Sequence, residues 1–254
     1  MSILRELLWF PINLVQLVWV LFWSMVCITL ALILRVLTGS TRISLGMARF
    51  MWAPGLLAFG PFPYRASGVD AVDWSRTYFI ASNHQSFVDI PLLFRVLPVN
   101  LHFVVKSELQ HVPFLAWYIR AMGMIFVDRS NRESARRSIE RTAQAAQNGK
   151  SILLFPEGTR SKDGRVGAFK SGMIGAAMVG SIPVLPVAVE GPGRALPAGW
   201  PRFRPTRLRV AVGQPVETEG YDGHDEKQRR ALTERVRQEV LRLHATLLES
   251  TETR

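Results

Sequence analysis

Residues 77 to 91 read "TYFIASNHQSFVDIP": an apolar run, a polar loop with a histidine and an aspartate five positions apart, and a helix start. The apolar run has the length and the β-branched and aromatic content of a buried strand. Ser86-Phe87-Val88-Asp89 is an S-x-x-D capping pattern, in which Ser86 caps a helix and Asp89 reaches back toward the chain before it. On one continuous helix, residues five apart lie about 140° from each other and do not touch. With His84 on the loop before the cap, the chain can fold back and bring Asp89 to the imidazole. A carboxylate on one ring nitrogen fixes the tautomer and leaves the other nitrogen free to accept a proton. The fragment therefore carries two readings, a helix cap and a general base with its orienting acid.

Strand-like runs recur along the chain at "LHFVVK" (101 to 106), "MIFVD" (124 to 128), "SILLFP" (151 to 156), "IPVLPVAVE" (182 to 190) and "RLRVAVG" (207 to 213). Helical patterns fit between most of them. Ser130 and Glu133 form a capping box ahead of Ala135, Ser138, Ile139, Thr142, Ala143 and Ala146 at helical spacing, and Asn148-Gly149 closes that helix. From Glu226 to Leu248, Val236, Val240, Leu243 and Leu247 share one face, with Arg and Glu opposite. Alternating strands and helices predict an α/β fold, a mostly parallel or mixed central sheet flanked by helices. In such a sheet the ligand site lies beyond the carboxyl ends of the strands. Four of those ends carry Asn83-His84-Gln85, Lys106-Ser107-Glu108, Asp128-Arg129 and Glu157-Gly158-Thr159-Arg160.

Ahead of this pattern the chain changes character. Leu7 to Leu34 holds no charged residue, and as a helix it is roughly 42 Å long against a hydrocarbon core of about 30 Å. It is about twice too long for the apolar part of a signal peptide, and no small-residue cleavage site follows before Arg35. Thr38-Gly39-Ser40 breaks it. The stretch "TRISLGMARFMWAPGLLAFGPFPYR" (41 to 65) then sets Arg42 and Arg49 among Met, Phe, Trp and Leu, which suits a helix lying among lipid headgroups. The expected division is a membrane-embedded two-helix motif over residues 1–64 and an α/β domain over residues 65–254. Arg35, Arg42, Arg49 and Arg65 follow the long helix against Arg5 before it, so a spanning helix would leave the domain on the cytoplasmic side.

With a formal charge of +11, the chain favours phosphates, anionic lipid surfaces or other acidic partners. The single cysteine, Cys27, excludes an internal disulfide, and neither a zinc-spaced Cys/His cluster nor H-E-x-x-H occurs, so no metal is expected. There is also no G-x-S-x-G elbow to supply a nucleophile. A His84 base would therefore act on a hydroxyl belonging to a substrate, a step typically worth ~10² to 10⁴ in rate. The basic, aromatic-rich segment 197 to 210 is read as meeting lipid headgroups or a donor, not nucleic acid.

"NHQSFVD" resembles the H-x4-D motif of the glycerolipid acyltransferases, and "KSELQHVPFLAWYIRAMGMIFVDR" (106 to 129), "FPEGTRS" (155 to 161) and "IPVLPVAVEG" (182 to 191) resemble that family's other three blocks, in order and at its spacing. The resemblance covers about Tyr78 to Gly191 and is nearest to members that acylate lysophosphatidic acid. It implies transfer of a fatty acyl group from acyl-CoA or acyl carrier protein to the sn-2 hydroxyl of that lipid, with no bound cofactor, at the inner face of a bacterial inner membrane. In that scheme His84 is the base and Asp89 its orienting partner. Lys106, Arg160 and Arg129 hold the phosphate, and Glu157, Gly158 and Thr159 shape the acceptor pocket. The oxyanion would be met by backbone N–H groups at the helix start after His84. Each residue has a plainer alternative: Glu157 can bond a strand-end amide, Gly158 can be a turn glycine, and Arg160 can pair with Asp163. The shared blocks also admit glycerol-3-phosphate or a lyso-aminolipid as acceptor. More distant alternatives are an ester hydrolase and a non-catalytic membrane adaptor.

Overall fold

The computed structural model describes residues 3–60, 62–128, 132–198 and 203–252. Helix α1, Ile3–Thr38, is the long apolar segment. From Trp9 to Thr38 it is long and apolar enough to cross a membrane, and little of that stretch is buried in the protein. Phe10, Val18, Leu21, Phe22 and Met25 all point outward, more than half exposed. Gly39, at φ +65°, supplies the left-handed turn that ends the helix. The second element is not one regular helix. It runs as α2, Thr41–Met47, a π-helical turn at Ala48–Trp52, and α3, Ala53–Phe59. Trp19 and Trp23 of α1 donate to the carbonyls of Gly55 and Trp52, and Trp52 donates to Ser24 Oγ, so the hairpin is closed by indole hydrogen bonds.

The chain then alternates β1 (Tyr64–Ser67), β2 (Phe79–Ser82), α4 (Asp89–Val96), β3 (Leu101–Lys106), α5 (Pro113–Ala121), β4 (Ile125–Val127), α6 (Arg132–Gln147) and β5 (Ser151–Leu154). It continues through α7 (Ser171–Val179), β6 (Val184–Glu190), α8 (Pro192–Ala195), β7 (Leu208–Val212) and α9 (Glu226–Glu252). The strands form one sheet in the order β1-β7-β6-β2-β5-β3-β4, parallel except where β6 meets β7. The sheet is the mixed one expected. Each strand-like run contains its strand, trimmed by one or two residues at an end in most cases. Strand β1 was not expected: all four of its residues are exposed at the sheet edge, so no apolar pattern announces it.

The central strands are buried on both faces. Along β2 and the residue before it, Tyr78 and Ile80 join the core under α3 and α4, while Phe79 and Ala81 join the core under α6, α7 and α9. This two-sided burial gives the parallel strands their unbroken apolar sequences. The capping-box residue Ser130 lies outside the described residues.

Candidate active site

The loop after β2 is fixed from four directions before any substrate is considered. Asn83 is buried and exchanges two hydrogen bonds with Val189 of β6: its Nδ2 donates to the carbonyl at 3.0 Å and its Oδ1 accepts from the amide at 2.8 Å. The His84 amide donates to Glu157 Oε1 at 3.3 Å, and the His84 carbonyl accepts from the Ser161 amide at 2.7 Å. The imidazole stacks on Phe155, with ring centroids 4.0 Å apart and planes 15° apart. Nδ1 lies 2.7 Å from Asp89 Oδ2. Nε2 is the ring nitrogen left for a substrate.

Asp89 begins α4 and is fully buried. Besides the imidazole, its Oδ2 accepts from the amides of Gln85 at 2.7 Å and Ser86 at 2.9 Å. The helix cap and the His–Asp pair are therefore one arrangement, because the carboxylate that caps the turn is the one that meets the ring. Burial pushes the Asp89 carboxyl above the usual range, opposed by the hydrogen bonds from His84, Ser86 and Gln85. The same bonds revise one expectation. The Gln85 and Ser86 amides are taken by Asp89, and the Val88 amide donates to Ser86 Oγ, so these three are not free to meet an oxyanion.

The remaining candidates separate. Glu157 is buried against the loop, and burial raises its carboxyl while the His84 and Gly167 amides oppose the rise. Gly158 sits at φ +74° with Lys170 laid over it; a Cβ there would meet Lys170 Nζ at 2.8 Å. Thr159 is exposed on the turn. Lys106 and Lys170 line a cavity of about 420 Å³ that His84 and Phe155 also border. Lys170 was not among the sequence candidates; it precedes α7, and its backbone amide is bonded to the Pro156 carbonyl at 2.9 Å, which ties it to the loop after β5. Arg160 lies elsewhere, its guanidinium carbon 4.2 Å from the centre of the Phe87 ring. Asp163, its sequence-local alternative, is engaged by Ser161 and Arg165. Arg129 lies outside the described residues. A third feature is an apolar cavity of about 550 Å³ walled by α1, the π turn and β3, with His84 in its wall. Among the described residues no group of three or more His, Cys, Asp or Glu side chains is gathered as for a metal ion.

Behind the loop lies a second buried polar cluster, also absent from the sequence reading. Gln85 Nε2 donates to Glu190 Oε2 at 3.1 Å and to the Gly164 carbonyl at 3.0 Å, and its Oε1 accepts from the Gly193 amide at 3.3 Å. His244 of α9 reaches the same Glu190 oxygen at 3.2 Å, and Arg194 pairs with the other. Burial alone would raise the Glu190 carboxyl; His244, Gln85 and Arg194 together bring it down to about 2. A depressed folded-state value contributes stability above the ordinary value of 4.5 that is lost as the pH falls toward 2. Glu190→Gln is therefore expected to lower the unfolding free energy most above pH 4.5, with the gap to the parent closing at lower pH. Urea unfolding across that range checks this; a gap independent of pH would show that the charge is immaterial.

Residues 65–190, a span that includes His84, Asp89, Lys106, Glu157, Arg160, Lys170 and Glu190, match the family model described as Acyltransferase. The chain belongs to the acyltransferase family. Among similar proteins, this acyltransferase is 37% identical over 136 residues to the chloroplastic 1-acyl-sn-glycerol-3-phosphate acyltransferase of Brassica napus, covering 53% of this chain and 39% of the relative. It is 32% identical over 147 residues to the 1-acyl-sn-glycerol-3-phosphate acyltransferase of Saccharomyces cerevisiae, covering 57% of this chain and 48% of that protein. The chain thus spans half or less of the length of these curated relatives. The crystal structure of the 1-acyl-sn-glycerophosphate acyltransferase of Thermotoga maritima superposes with a TM-score of 0.77 at 25% identity, covering 98% of both chains.

Proposed function

We propose that this acyltransferase moves a fatty acyl group from an acyl thioester, acyl-CoA or acyl carrier protein, to the sn-2 hydroxyl of lysophosphatidic acid, making phosphatidic acid. The observation that carries this reading is the 2.7 Å contact of His84 Nδ1 with Asp89, which holds the ring with Nε2 free beside an apolar cavity and a lysine-lined one. With its Nδ1–H donated to the carboxylate, the ring accepts the proton of the acceptor hydroxyl at Nε2 as that oxygen attacks the thioester carbon. The oxygen–carbon bond forms, the carbon–sulfur bond breaks, and the departing thiolate takes the proton back from Nε2. The ring is thus returned to its starting state. Lys106 and Lys170 line the cavity that His84 borders and Arg160 lies over the nearby Phe87, a positive setting that favours an acceptor carrying a phosphate monoester and a donor carrying phosphates or acidic side chains. The relatives named above bear the matching activity in their names. No bound metal or cofactor is part of this scheme.

The apolar hairpin supports a reaction at a membrane surface, where the lysophosphatidic acid acceptor would reside. Its arginines after the long helix favour the cytoplasmic face of a bacterial inner membrane. The Phe203 amide donates to Asn13 Oδ1 of α1 at 2.8 Å, which draws the basic segment around Arg204 and Arg207 toward that hairpin and away from a role with nucleic acid.

The test is incubation of the purified protein with one labelled acyl-CoA and a panel of lysolipids, with products read by mass. Labelled phosphatidic acid is expected as the main product. Label appearing on glycerol-3-phosphate, on a lyso-aminolipid or as free fatty acid would replace this reading by the corresponding alternative. In the same assay Lys106→Met is expected to raise KM for lysophosphatidic acid about tenfold or more, the scale of one lost charge-assisted hydrogen bond, with little effect on an uncharged monoacylglycerol.

A further inference from the structure

His84 lies between two residues whose side chains both run to the end of β6. Asn83 is bonded to the Val189 backbone, and Gln85, on the other side, to the Glu190 carboxylate. The imidazole borders open cavities, whereas both neighbours are buried. Gln85 commits its whole side chain to this hold: Nε2 donates to Glu190 Oε2 and to the Gly164 carbonyl, and Oε1 accepts from the Gly193 amide. With both Nε2 hydrogens used, His244 Nε2, 3.4 Å from that nitrogen, has no proton to accept there. It therefore carries a proton itself and donates it to Glu190 Oε2, while Arg194 takes Oε1. A buried carboxylate is a poor device for stability alone, because apolar residues of the same volume often hold a fold as well. What it supplies is direction.

Resting on His84 as the base in the function proposed above, we infer that Glu190 is a positioning residue for acyl transfer: backed by His244 of α9, it grips Gln85 and so fixes where the imidazole stands. The coupling is short. The Gln85 amide donates to Asp89 Oδ2 at 2.7 Å, and that same oxygen is the one 2.7 Å from His84 Nδ1. A Gln85 that leaves β6 carries its amide with it, loosens the oxygen that orients the ring, and shifts Nε2. Misplacing a reacting group by about 1 Å can cost about 10²-fold in rate. The Asn83 side of the bracket rests on backbone atoms of Val189, whereas the Gln85 side depends on one carboxylate and the helix behind it. His244 stands 54 positions beyond Glu190. Among the described residues, α9 contributes nothing to the two cavities that His84 borders, so the last helix acts on the chemistry only through this contact.

The full-length protein in lipid vesicles carries the test. His244→Leu removes the donor behind Glu190, and His244→Gln restores an N–H at nearly the same reach. In His244→Leu, kcat for phosphatidic acid formation is expected to fall about tenfold with KM for both substrates within about twofold, whereas His244→Gln keeps kcat within about threefold of the parent. Amide hydrogen exchange reads the loop itself. The Gln85 and Ser86 amides are expected to exchange about tenfold faster in His244→Leu, while those of β5 keep the parental rate. A purely stabilising role would speed exchange in loop and strand together and leave kcat per folded molecule unchanged. Either result would overturn the inference, as would a His244→Gln variant as slow as His244→Leu. Gln85→Met, the second variant, breaks the hold from the loop side, and the same fall in kcat is expected. Combined with His244→Leu it should be no slower than the slower single variant, because both interrupt one chain of contacts; losses that multiply would show two independent effects and sink the idea. A parent protein that transfers no acyl group would remove the proposed reaction, and the exchange comparison alone would then decide whether α9 holds the loop.

Discussion

Changing His84 to alanine is expected to lower kcat by about 10² to 10⁴-fold, the usual worth of a positioned general base, with KM for the acceptor altered only a few-fold. The expectation follows from how little else the side chain does. Its backbone amide and carbonyl are already held by Glu157 and Ser161, and Asp89 retains the amides of Gln85 and Ser86 when the ring is gone. The loop should therefore keep its shape, and the variant should still fold and stay with the membrane fraction. Initial rates over a range of lysophosphatidic acid concentrations, beside a thermal unfolding curve, separate the two effects. A variant with near-parental kcat would remove His84 from the role of base.

Asp89→Asn is the second large effect and the more diagnostic one. All three contacts fall on one oxygen, Oδ2, so an asparagine that keeps the Gln85 and Ser86 caps presents its amide oxygen to Nδ1 as well, and the turn before α4 keeps its cap. What it lacks is the negative charge that stabilises the imidazolium formed when Nε2 takes the substrate proton. A fall in kcat of about 10² to 10⁴-fold is expected with little change in unfolding temperature. Asp89→Ala is different in kind, since it strands two buried N–H groups at about 1–3 kcal/mol each. Should Asp89→Asn match the parent in kcat, the carboxylate would be a helix cap and nothing more.

These contrasts also show what can be read from residue order. The central strands were visible as uninterrupted apolar runs because each is covered on both faces, as Tyr78 and Phe79 of adjacent positions facing opposite cores illustrate. Strand β1, "YRAS", was invisible for the opposite reason: its pairing with β7 is backbone hydrogen bonding at an exposed edge, which leaves no mark on side-chain character. In the site, His84 and Asp89 could be paired from spacing because the contact is local and the helix start makes it. Lys170, Glu190 and His244 could not. Lys170 reaches the cavity through the return of the chain past Pro156, and Glu190 meets His244 because β6 and α9 pack together across 54 positions of sequence. Lys106 and Arg160, placed together as one phosphate grip by sequence reasoning, line different cavities: Lys106 closes β3, whereas Arg160 lies on the loop beyond the end of β5.

The hairpin that opens the chain is more than an address. Ser24, Cys27, Ile28 and Ala31 of α1 form part of the wall of the cavity that His84 also borders, and Leu17 and Val20 form part of the neighbouring cleft. A shortened form engineered for solubility would therefore discard part of the reaction vessel along with the tether. Lipid composition around the hairpin is then expected to tune turnover, because any tilt of that first helix reshapes both cavities.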